Sequence, residues 1–352
     1  MTKETLHGRV LGCLALAGMG DALGASTEQW TIDEIAAVHG PLVTGFVEPP
    51  DDTFAGANHG ARAEVTDDAS QMYYLGHALI RAGGRLDHAG WIACLLDWAD
   101  NSPKAGFMGP STIGIVQALR AGIDPALVGV IGTSRRKMTN FGITNGAAMR
   151  VAPAGLIHPG DLTAACEQAF VTCLPSHDTD VAISSACAIA SGVARALVEP
   201  SLDAVIDACR EGGRIGVRLA QQRARMLPGP RFLARLDMAL EIARTAPDDR
   251  SFLVALESSV GASVLAAESV PAAIGILAYA QGDPMRTIAL AASVGNDTDS
   301  IATMAGALAG ALHGANALPR PLYDEFRAVN ADFYQLDRMA DGLAALAAKN
   351  LA

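Results

Sequence analysis

The sequence contains few charged and few aromatic residues. Charged residues make up 18% and aromatic residues 5% of the 352 positions, whereas hydrophobic residues make up 50%. This balance excludes an extended disordered chain, because disordered segments combine low hydrophobicity with high charge. The apolar content comes mainly from Ala, Leu, Val and Ile. Since Ala and Leu lose little side-chain freedom in a helix, the composition favours a helical fold with a sizeable core.

Basic residues are scarce as well. The chain has 26 Lys and Arg against 37 Asp and Glu, which gives a formal net charge of -11. Binding to a nucleic-acid backbone requires clustered positive charge, so we expect no nucleic-acid partner. A small anionic substrate remains compatible with this charge, because backbone amides or metal ions can hold it.

Long apolar runs and closely paired cysteines are also missing. Residues 10–17 are apolar but too short to span a bilayer, and no other run reaches ~18 uncharged apolar residues. The first residues show no basic region followed by an apolar one. None of the six cysteines forms a CxxC pair. We therefore expect a cytoplasmic protein without membrane contact, whose cysteines are buried free thiols.

Apolar residues at helical spacing run through most of the chain. Residues 181–198 are apolar on nearly every side, which predicts a central buried helix. Strand patterns are poor, and the best two, at residues 42–47 and 128–131, are short. We predict an all-α fold in one compact domain of residues 1–352. The predicted helices cover residues 11–17, 70–82, 91–99, 111–121, 162–173, 181–198, 202–220, 232–243, 252–267, 270–280, 285–294 and 300–313.

Two short acidic motifs stand directly before predicted helices. Thr66-Asp67-Asp68 precedes one helix, and Asp297-Thr298-Asp299-Ser300 precedes another. Either motif alone is compatible with a simple N-cap, because Thr, Ser and Asp side chains accept hydrogen bonds from the first amides of a helix. A cap, however, needs only one such side chain.

Together the two motifs indicate a metal site. Carboxylate and hydroxyl oxygens without nearby Cys or His ligands suit Mg²⁺ or Mn²⁺ rather than Zn²⁺. Four converging carboxylates would repel one another, and two divalent cations would offset that charge. Two similar acidic segments fit less well. Asp51 and Asp52 follow two prolines and are interpreted as a solvated turn, and Asp178 and Asp180 as caps of the central helix.

Five motifs in this order resemble the ADP-ribosylglycohydrolase family. Each is weak alone, but together they extend from about residue 12 to residue 314. The motifs are Gly20-Asp21-Ala22-Leu23-Gly24 followed by Glu28, then Thr66-Asp67-Asp68, Gly109-Pro110-Ser111-Thr112, Asn145-Gly146-Ala147-Ala148-Met149-Arg150, and Asp297-Thr298-Asp299-Ser300.

The resemblance implies an all-helical glycosidase that holds two divalent ions, Mg²⁺ by expectation and Mn²⁺ as the alternative. It implies cleavage of the bond between ribose, in ADP-ribose, and an acceptor. The implied metal ligands are Thr66, Asp67, Asp68, Asp297, Asp299 and Ser300, with Asp299 as the bridge. Glu28, Asp67 and Asp68 are the candidates for catalysis. The implied substrate-binding residues are Asn145, Gly146, Ala147, Met149 and His177.

Some positions depart from the family pattern. Ser300 replaces the usual Thr but keeps the hydroxyl, and Ala69 replaces a common Thr. Relatives acting on ADP-ribosyl-arginine tend to carry an acidic residue in the segment that corresponds to residues 106–110, where this chain has none. Two alternatives therefore stay open beside the glycohydrolase: a nucleosidase with the same metals, and a silent relative that only binds ADP-ribose or serves a structural role. For Arg150, contact with a phosphate and pairing with a carboxylate both remain open.

Overall fold

The computed structural model describes residues 2–351 and is built from helices. Within that range there is no strand, only three isolated bridges between single residues. The helices are α1 (Lys3–Gly24), α2 (Ile32–His39), α3 (Phe54–Ala57), α4 (Asp67–Arg81), α5 (His88–Asn101), α6 (Pro110–Arg120), α7 (Gly146–Met149), α8 (Ala152–Leu156), α9 (Leu162–Cys173), α10 (Asp180–Val198), α11 (Leu202–Arg223), α12 (Phe232–Thr245), α13 (Asp249–Ser259), α14 (Ala266–Tyr279), α15 (Pro284–Ala291), α16 (Thr298–His313), α17 (Arg320–Tyr334) and α18 (Leu336–Leu351).

The prediction of an all-α, single compact domain is confirmed. Neither candidate strand forms, although Val130 makes one bridge with Lys137. The predicted helix at residues 252–267 is wrong in its middle. There the chain leaves α13, passes Gly261 with a positive φ of 94°, and enters α14.

Helices α17 and α18 lie outside the predicted set. The signal was nevertheless present, because the buried residues Tyr323, Phe326, Asn330 and Tyr334 of α17 repeat every three or four positions. The two helices are separated by Gln335, which adopts the left-handed conformation with φ of 49°. Such a residue at a helix C-terminus ends the hydrogen-bond ladder and redirects the chain.

Helix α10 is the central buried helix that the apolar pattern predicts. By length and composition it could cross a membrane, but 83% of its apolar window is buried inside the fold. It packs against helices α8, α9, α11 and α16. All six cysteines are free and buried, as expected. The apolar surface of α10 is therefore covered by the protein's own helices.

Close packing of α1 against α16 positions the acidic motifs. A Cβ at Gly12 would lie 2.6 Å from the carbonyl oxygen of Gly310, and one at Gly310 would lie 2.1 Å from the carbonyl oxygen of Gly12. At the other end of α1, a Cβ at Gly24 would lie 2.5 Å from the amide nitrogen of Asp299. Glycine is required wherever two backbones approach so closely. These glycines bring the end of α1 against the start of α16.

Candidate active site

The first acidic motif lies at the N-terminus of α4. Thr66 is the N-cap residue, and Asp67 and Asp68 form the first turn. The Thr66 side chain accepts a hydrogen bond from the Asp68 amide at 3.4 Å. All three side chains are buried. The helix dipole favours negative charge at this position, but burial of both carboxylates goes beyond what a cap requires.

The second acidic motif lies at the N-terminus of α16. Asp297 occupies the N-cap position, Asp299 lies in the first turn, and Ser300 follows. Asn296 precedes them with a positive φ of 62°, and the Asp297 amide donates to the carbonyl oxygen of Ala262 at 3.0 Å. Asp297, Asp299 and Ser300 are buried. The twisted backbone before α16 therefore turns both carboxylates inward.

The fold brings the two motifs and Glu28 together. The Thr66 hydroxyl lies 3.4 Å from Asp299 Oδ2, which joins the two helix starts. Glu28, Asp297 and Asp299 each offer one carboxylate oxygen within 4.8 Å of the others, an arrangement that could hold a metal ion. Glu28 lies in the turn after α1, which is held by a hydrogen bond from the Gln29 amide to the carbonyl oxygen of Asn296 at 2.7 Å.

Burial raises the pKa of every carboxyl group in this cluster, and repulsion by neighbouring carboxylates adds to this for Glu28, Asp67, Asp68 and Asp297. Burial, followed by the charges of Asp299 and Asp297, raises the pKa of Glu28 to about 10. Burial and then Asp299 raise the pKa of Asp297 to about 8. The pKa values of Asp67 and Asp68 are raised well above their usual range for the same reasons. Without cations Glu28 and Asp297 therefore hold protons at neutral pH.

Among the carboxyl groups of this cluster, Asp299 has the pKa that is raised least. Burial raises its pKa to about 6, and the amide of Ser300, which donates a hydrogen bond to the carboxylate, limits this rise. The Ser300 amide donates to Asp299 Oδ1 at 2.9 Å. Hydrogen bonds to the charged form of a carboxylate favour ionisation. Asp299 is therefore the member of the cluster that carries a negative charge most readily.

The donor set fits hard divalent cations. Glu28 Oε2 and Asp68 Oδ1 are buried and have no hydrogen-bond partner among residues 2–351. A buried carboxylate oxygen without a partner is costly unless a cation or water satisfies it. Carboxylate and hydroxyl oxygens are the ligands that Mg²⁺ and Mn²⁺ prefer. The residues present therefore match the type of metal that the sequence suggested.

Asp21 is a supporting residue to which the sequence interpretation gave no role. It is fully buried in α1 and accepts hydrogen bonds from the Thr66 amide at 3.0 Å, the Thr66 hydroxyl at 2.8 Å and the Ala69 amide at 2.8 Å. It therefore fixes the start of α4 from the side of α1. The available signal was a lone carboxylate inside an otherwise apolar helix, which must find buried partners.

The cluster opens into a cavity. Four of the predicted substrate-binding residues, Asn145, Gly146, Met149 and His177, line this cavity together with Glu28 and the four aspartates of the two motifs. The fifth, Ala147, is buried in the core and is not among the lining residues. The Asn145 side chain donates to Asp297 Oδ2 and to Ser269 Oγ, so it supports the second acidic motif.

Gly146 and His177 depend on each other for space. A Cβ at Gly146 would lie 2.9 Å from His177 Nε2 and 3.0 Å from its Cε1. Any larger residue at position 146 must displace the imidazole ring. The structure therefore gives a packing reason for glycine at position 146, beside the substrate-binding role that the resemblance implies.

Within residues 2–351, Arg150 forms no ion pair with a carboxylate, which was one of the two contacts that the sequence left open. It is fully buried, and its Nη1 donates to Gln71 Oε1 at 2.8 Å. Gln71 Nε2 in turn donates to Asp67 Oδ2 at 3.0 Å. The Arg150 guanidinium also lies 4.7 Å from the ring centroid of Trp91. Arg150 thus acts on the first acidic motif through Gln71, a residue that sequence reasoning missed.

The other acidic segments lie away from the cluster. Asp51 and Asp52 are exposed in a turn, as interpreted. Asp178 pairs with Arg225 and Lys137, and Asp180 pairs with Arg231. The N-cap of α10 is Thr179 rather than either aspartate.

The chain is similar to known proteins over nearly its whole length. The family model described as ADP-ribosylglycohydrolase matches residues 2–351. The uncharacterized protein YegU of Escherichia coli (strain K12) is 36% identical over 341 residues, which cover 96% of each chain. ADP-ribosylhydrolase ARH3 of Gallus gallus is 27% identical over 95% of this chain and 92% of its own length. A solved structure described as an ADP-ribosylglycohydrolase-related protein complex shares the fold, with a TM-score of 0.66 at 21% identity over 98% of this chain and 99% of the other. The chain belongs to the ADP-ribosylglycohydrolase family.

Proposed function

We propose that the protein is a metal-dependent hydrolase that cleaves the N- or O-glycosidic bond between the ribose of ADP-ribose and an acceptor. The observation that carries this proposal is the meeting of Glu28 with two acidic helix starts in one cavity. Family membership and the similarity to ADP-ribosylhydrolase ARH3 support ADP-ribose as the substrate class. An all-helical scaffold with buried, partnerless carboxylate oxygens supports the metal dependence.

In this proposal two divalent ions, Mg²⁺ or alternatively Mn²⁺, occupy the cluster. Thr66, Asp67 and Asp68 hold them from one side and Asp297, Asp299 and Ser300 from the other. Asp299 would be the residue best placed to serve both ions, because its Oδ2 lies 3.4 Å from the Thr66 hydroxyl of the other motif. Bound there, such ions would orient the ribose hydroxyls and lower the pKa of water.

The proposed reaction is a displacement by water at the anomeric carbon of the ribose. The water oxygen bonds to that carbon, and the bond to the acceptor breaks with its electron pair left on the acceptor atom. Positive charge develops at the anomeric carbon during such a cleavage, and the buried carboxylates stabilise it. Glu28 lines the cavity and accepts the proton of the water through its partnerless Oε2. Asp67 and Asp68 are the alternative proton acceptors.

One part of the cavity wall is aromatic and offers no partner to a positively charged acceptor. Phe54 and Phe107 line it and pack edge to face, with ring centroids 6.0 Å apart. Neither the helical turn Ala105–Phe107 nor the following Gly109 and Pro110 adds a carboxylate that could receive a guanidinium group. We therefore expect ADP-ribosyl-serine to be cleaved faster than ADP-ribosyl-arginine.

A substrate panel tests the proposal. ADP-ribosyl-serine, ADP-ribosyl-arginine and free nucleosides are each incubated with the enzyme and Mg²⁺, and then with a chelator. We expect release of ADP-ribose with Mg²⁺ and its loss with the chelator. Cleavage of nucleosides alone would establish the nucleosidase alternative, and no cleavage despite ADP-ribose binding would establish a silent relative.

A further inference from the structure

A chain of hydrogen bonds runs from Arg150 to the cavity. Arg150 Nη2 lies 3.4 Å from Ser176 Oγ, and Ser176 Oγ lies 2.7 Å from His177 Nδ1. His177 Nε2 lies 2.9 Å from Thr144 Oγ1. Arg150, Ser176 and His177 are buried, and both His177 and Thr144 line the cavity. This series of hydrogen bonds therefore begins at a buried guanidinium group and ends at a hydroxyl group on the cavity wall.

The guanidinium sets the direction of every bond in this chain. A guanidinium group only donates, so Ser176 Oγ accepts from Arg150. The Ser176 hydroxyl has one hydrogen, and the only other partner that it has within residues 2–351 is His177 Nδ1. If Nδ1 donated instead, the serine hydrogen would be buried without an acceptor, which is costly. Ser176 therefore donates to Nδ1.

A neutral imidazole that accepts at Nδ1 carries its hydrogen on Nε2. Burial, followed by the charge of Arg150, lowers the pKa of His177 to about 3, which keeps the ring neutral. His177 Nε2 then donates to Thr144 Oγ1. The Thr144 hydroxyl makes no other hydrogen bond within the part of the chain that the structure describes. Its own hydrogen is therefore available to a ligand in the cavity.

We infer that Thr144 is a substrate-binding residue whose hydroxyl, oriented by Arg150 through Ser176 and His177, donates to an anionic group of the ligand. With the proposed function, on which the identity of the ligand rests, that group is the diphosphate of ADP-ribose. The backbone supports this position, because the Asn145 amide donates to the carbonyl oxygen of Val264 at 2.9 Å and the Ala266 amide to that of Ile143 at 3.0 Å. These bonds hold Thr144 in place on both sides.

Arg150 is a positioning residue in two directions. Its Nη1 reaches Asp67 through Gln71, while its Nη2 reaches Thr144 through Ser176 and His177. One buried guanidinium thus orients an oxygen of the first acidic motif and a hydroxyl group on the cavity wall. Lysine would supply the charge but not this forked pair of donors.

Binding measurements on two variants test the role of Thr144. Thr144→Val removes the hydroxyl with little change in shape, and Thr144→Ser is the matched control that retains it. By calorimetry we expect Thr144→Val to weaken ADP-ribose binding about 10- to 100-fold, the usual worth of a hydrogen bond to a charged group. Affinity for ribose, which has no phosphate, should stay the same, and Thr144→Ser should bind ADP-ribose like the wild type. Equal ADP-ribose affinity of Thr144→Val and wild type would overturn the inference.

Nitrogen-15 NMR of histidine-labelled protein tests the donor–acceptor direction of the hydrogen bonds between Arg150 and Thr144. We expect His177 as the neutral Nε2–H tautomer in the wild type, and a mixture of tautomers in Ser176→Ala. An Nδ1–H tautomer in the wild type would overturn the inference even if the enzyme cleaves ADP-ribose. If the wild type neither binds nor cleaves ADP-ribose, the proposed function fails. The inference is then decided by the tautomer and by inorganic pyrophosphate, whose binding Thr144→Val should weaken.

Discussion

Substitution of Gly24 by alanine tests whether the packing of α1 against α16 builds the metal site. A Cβ at Gly24 would lie 2.5 Å from the amide nitrogen of Asp299 and from the carbonyl oxygen of Thr298. Ordinary contacts begin at 3.4 Å, so the two backbones must separate by about 0.9 Å, the difference between these distances. The atoms in the way belong to the backbone of Thr298 and Asp299 and not to a flexible side chain. The backbone of Asp299 itself must therefore move.

The expected magnitudes follow from this displacement. Overpacking of a core costs about 1–3 kcal/mol, and we expect the upper end here because backbone atoms must move. A misplacement of about 1 Å in a catalytic site can lower the rate ~10²-fold. We therefore expect Gly24→Ala to lower the free energy of unfolding by ~3 kcal/mol and turnover by about two orders of magnitude.

Urea denaturation, calorimetric titration with Mg²⁺ and steady-state turnover measure these effects. The matched control is Gly8→Ala in the same helix, where an added Cβ has nothing within 4 Å. Alanine is a better helix former than glycine by up to ~1 kcal/mol, so this control should be neutral or more stable. If Gly24→Ala keeps the stability and the Mg²⁺ affinity of the wild type, the close packing of α1 does not position Asp299.

Four further predictions concern the carboxyl groups. Glu28→Gln should lower turnover by ~10²–10⁴-fold with little change in product affinity, and wild-type turnover would leave Asp67 or Asp68 as the proton acceptor. Asp299→Asn should weaken Mg²⁺ binding while the circular dichroism spectrum stays helical; an unchanged calorimetric affinity would contradict the assignment. Asp21→Ala should leave the amides of Thr66 and Ala69 without an acceptor, which costs ~1–3 kcal/mol of stability for each amide. The urea midpoint of Asp21→Ala should therefore fall further than that of Asp21→Asn, which keeps an acceptor oxygen. For metal-free protein, raised carboxyl pKa values mean that the folded state binds more protons. Stability from these groups is complete below their unfolded pKa and is lost as pH rises through about 6 for Asp299 and about 8 for Asp297. The thermal midpoint measured in chelator should fall across that pH range, and the increase in thermal midpoint on adding Mg²⁺ should become larger. A difference between the two midpoints that does not change with pH would refute this prediction.

Much of the fold could be read from local patterns. The apolar repeat gave the central helix α10 to within one residue, because a helix buried on all sides must be apolar on all sides. The acidic motifs were recognisable because two carboxylates at one helix start exceed what capping needs. The break between α13 and α14 was missed, since Gly261 lies within apolar sequence that continues the helical spacing.

The helical character, the two acidic motifs and their likeness to one family can be recognised in the amino-acid sequence alone. The residues that support these motifs become apparent only when the helices are packed together. Asp21 contacts Thr66 and Ala69, and Arg150 reaches Asp67 and Thr144, through hydrogen bonds between residues far apart in the chain. A repeat of apolar residues reports which face of a helix is buried, but not which distant side chain it meets there. Those partners depend on how closely the helices approach, and glycines such as Gly24 set that distance through backbone contacts that no local pattern records.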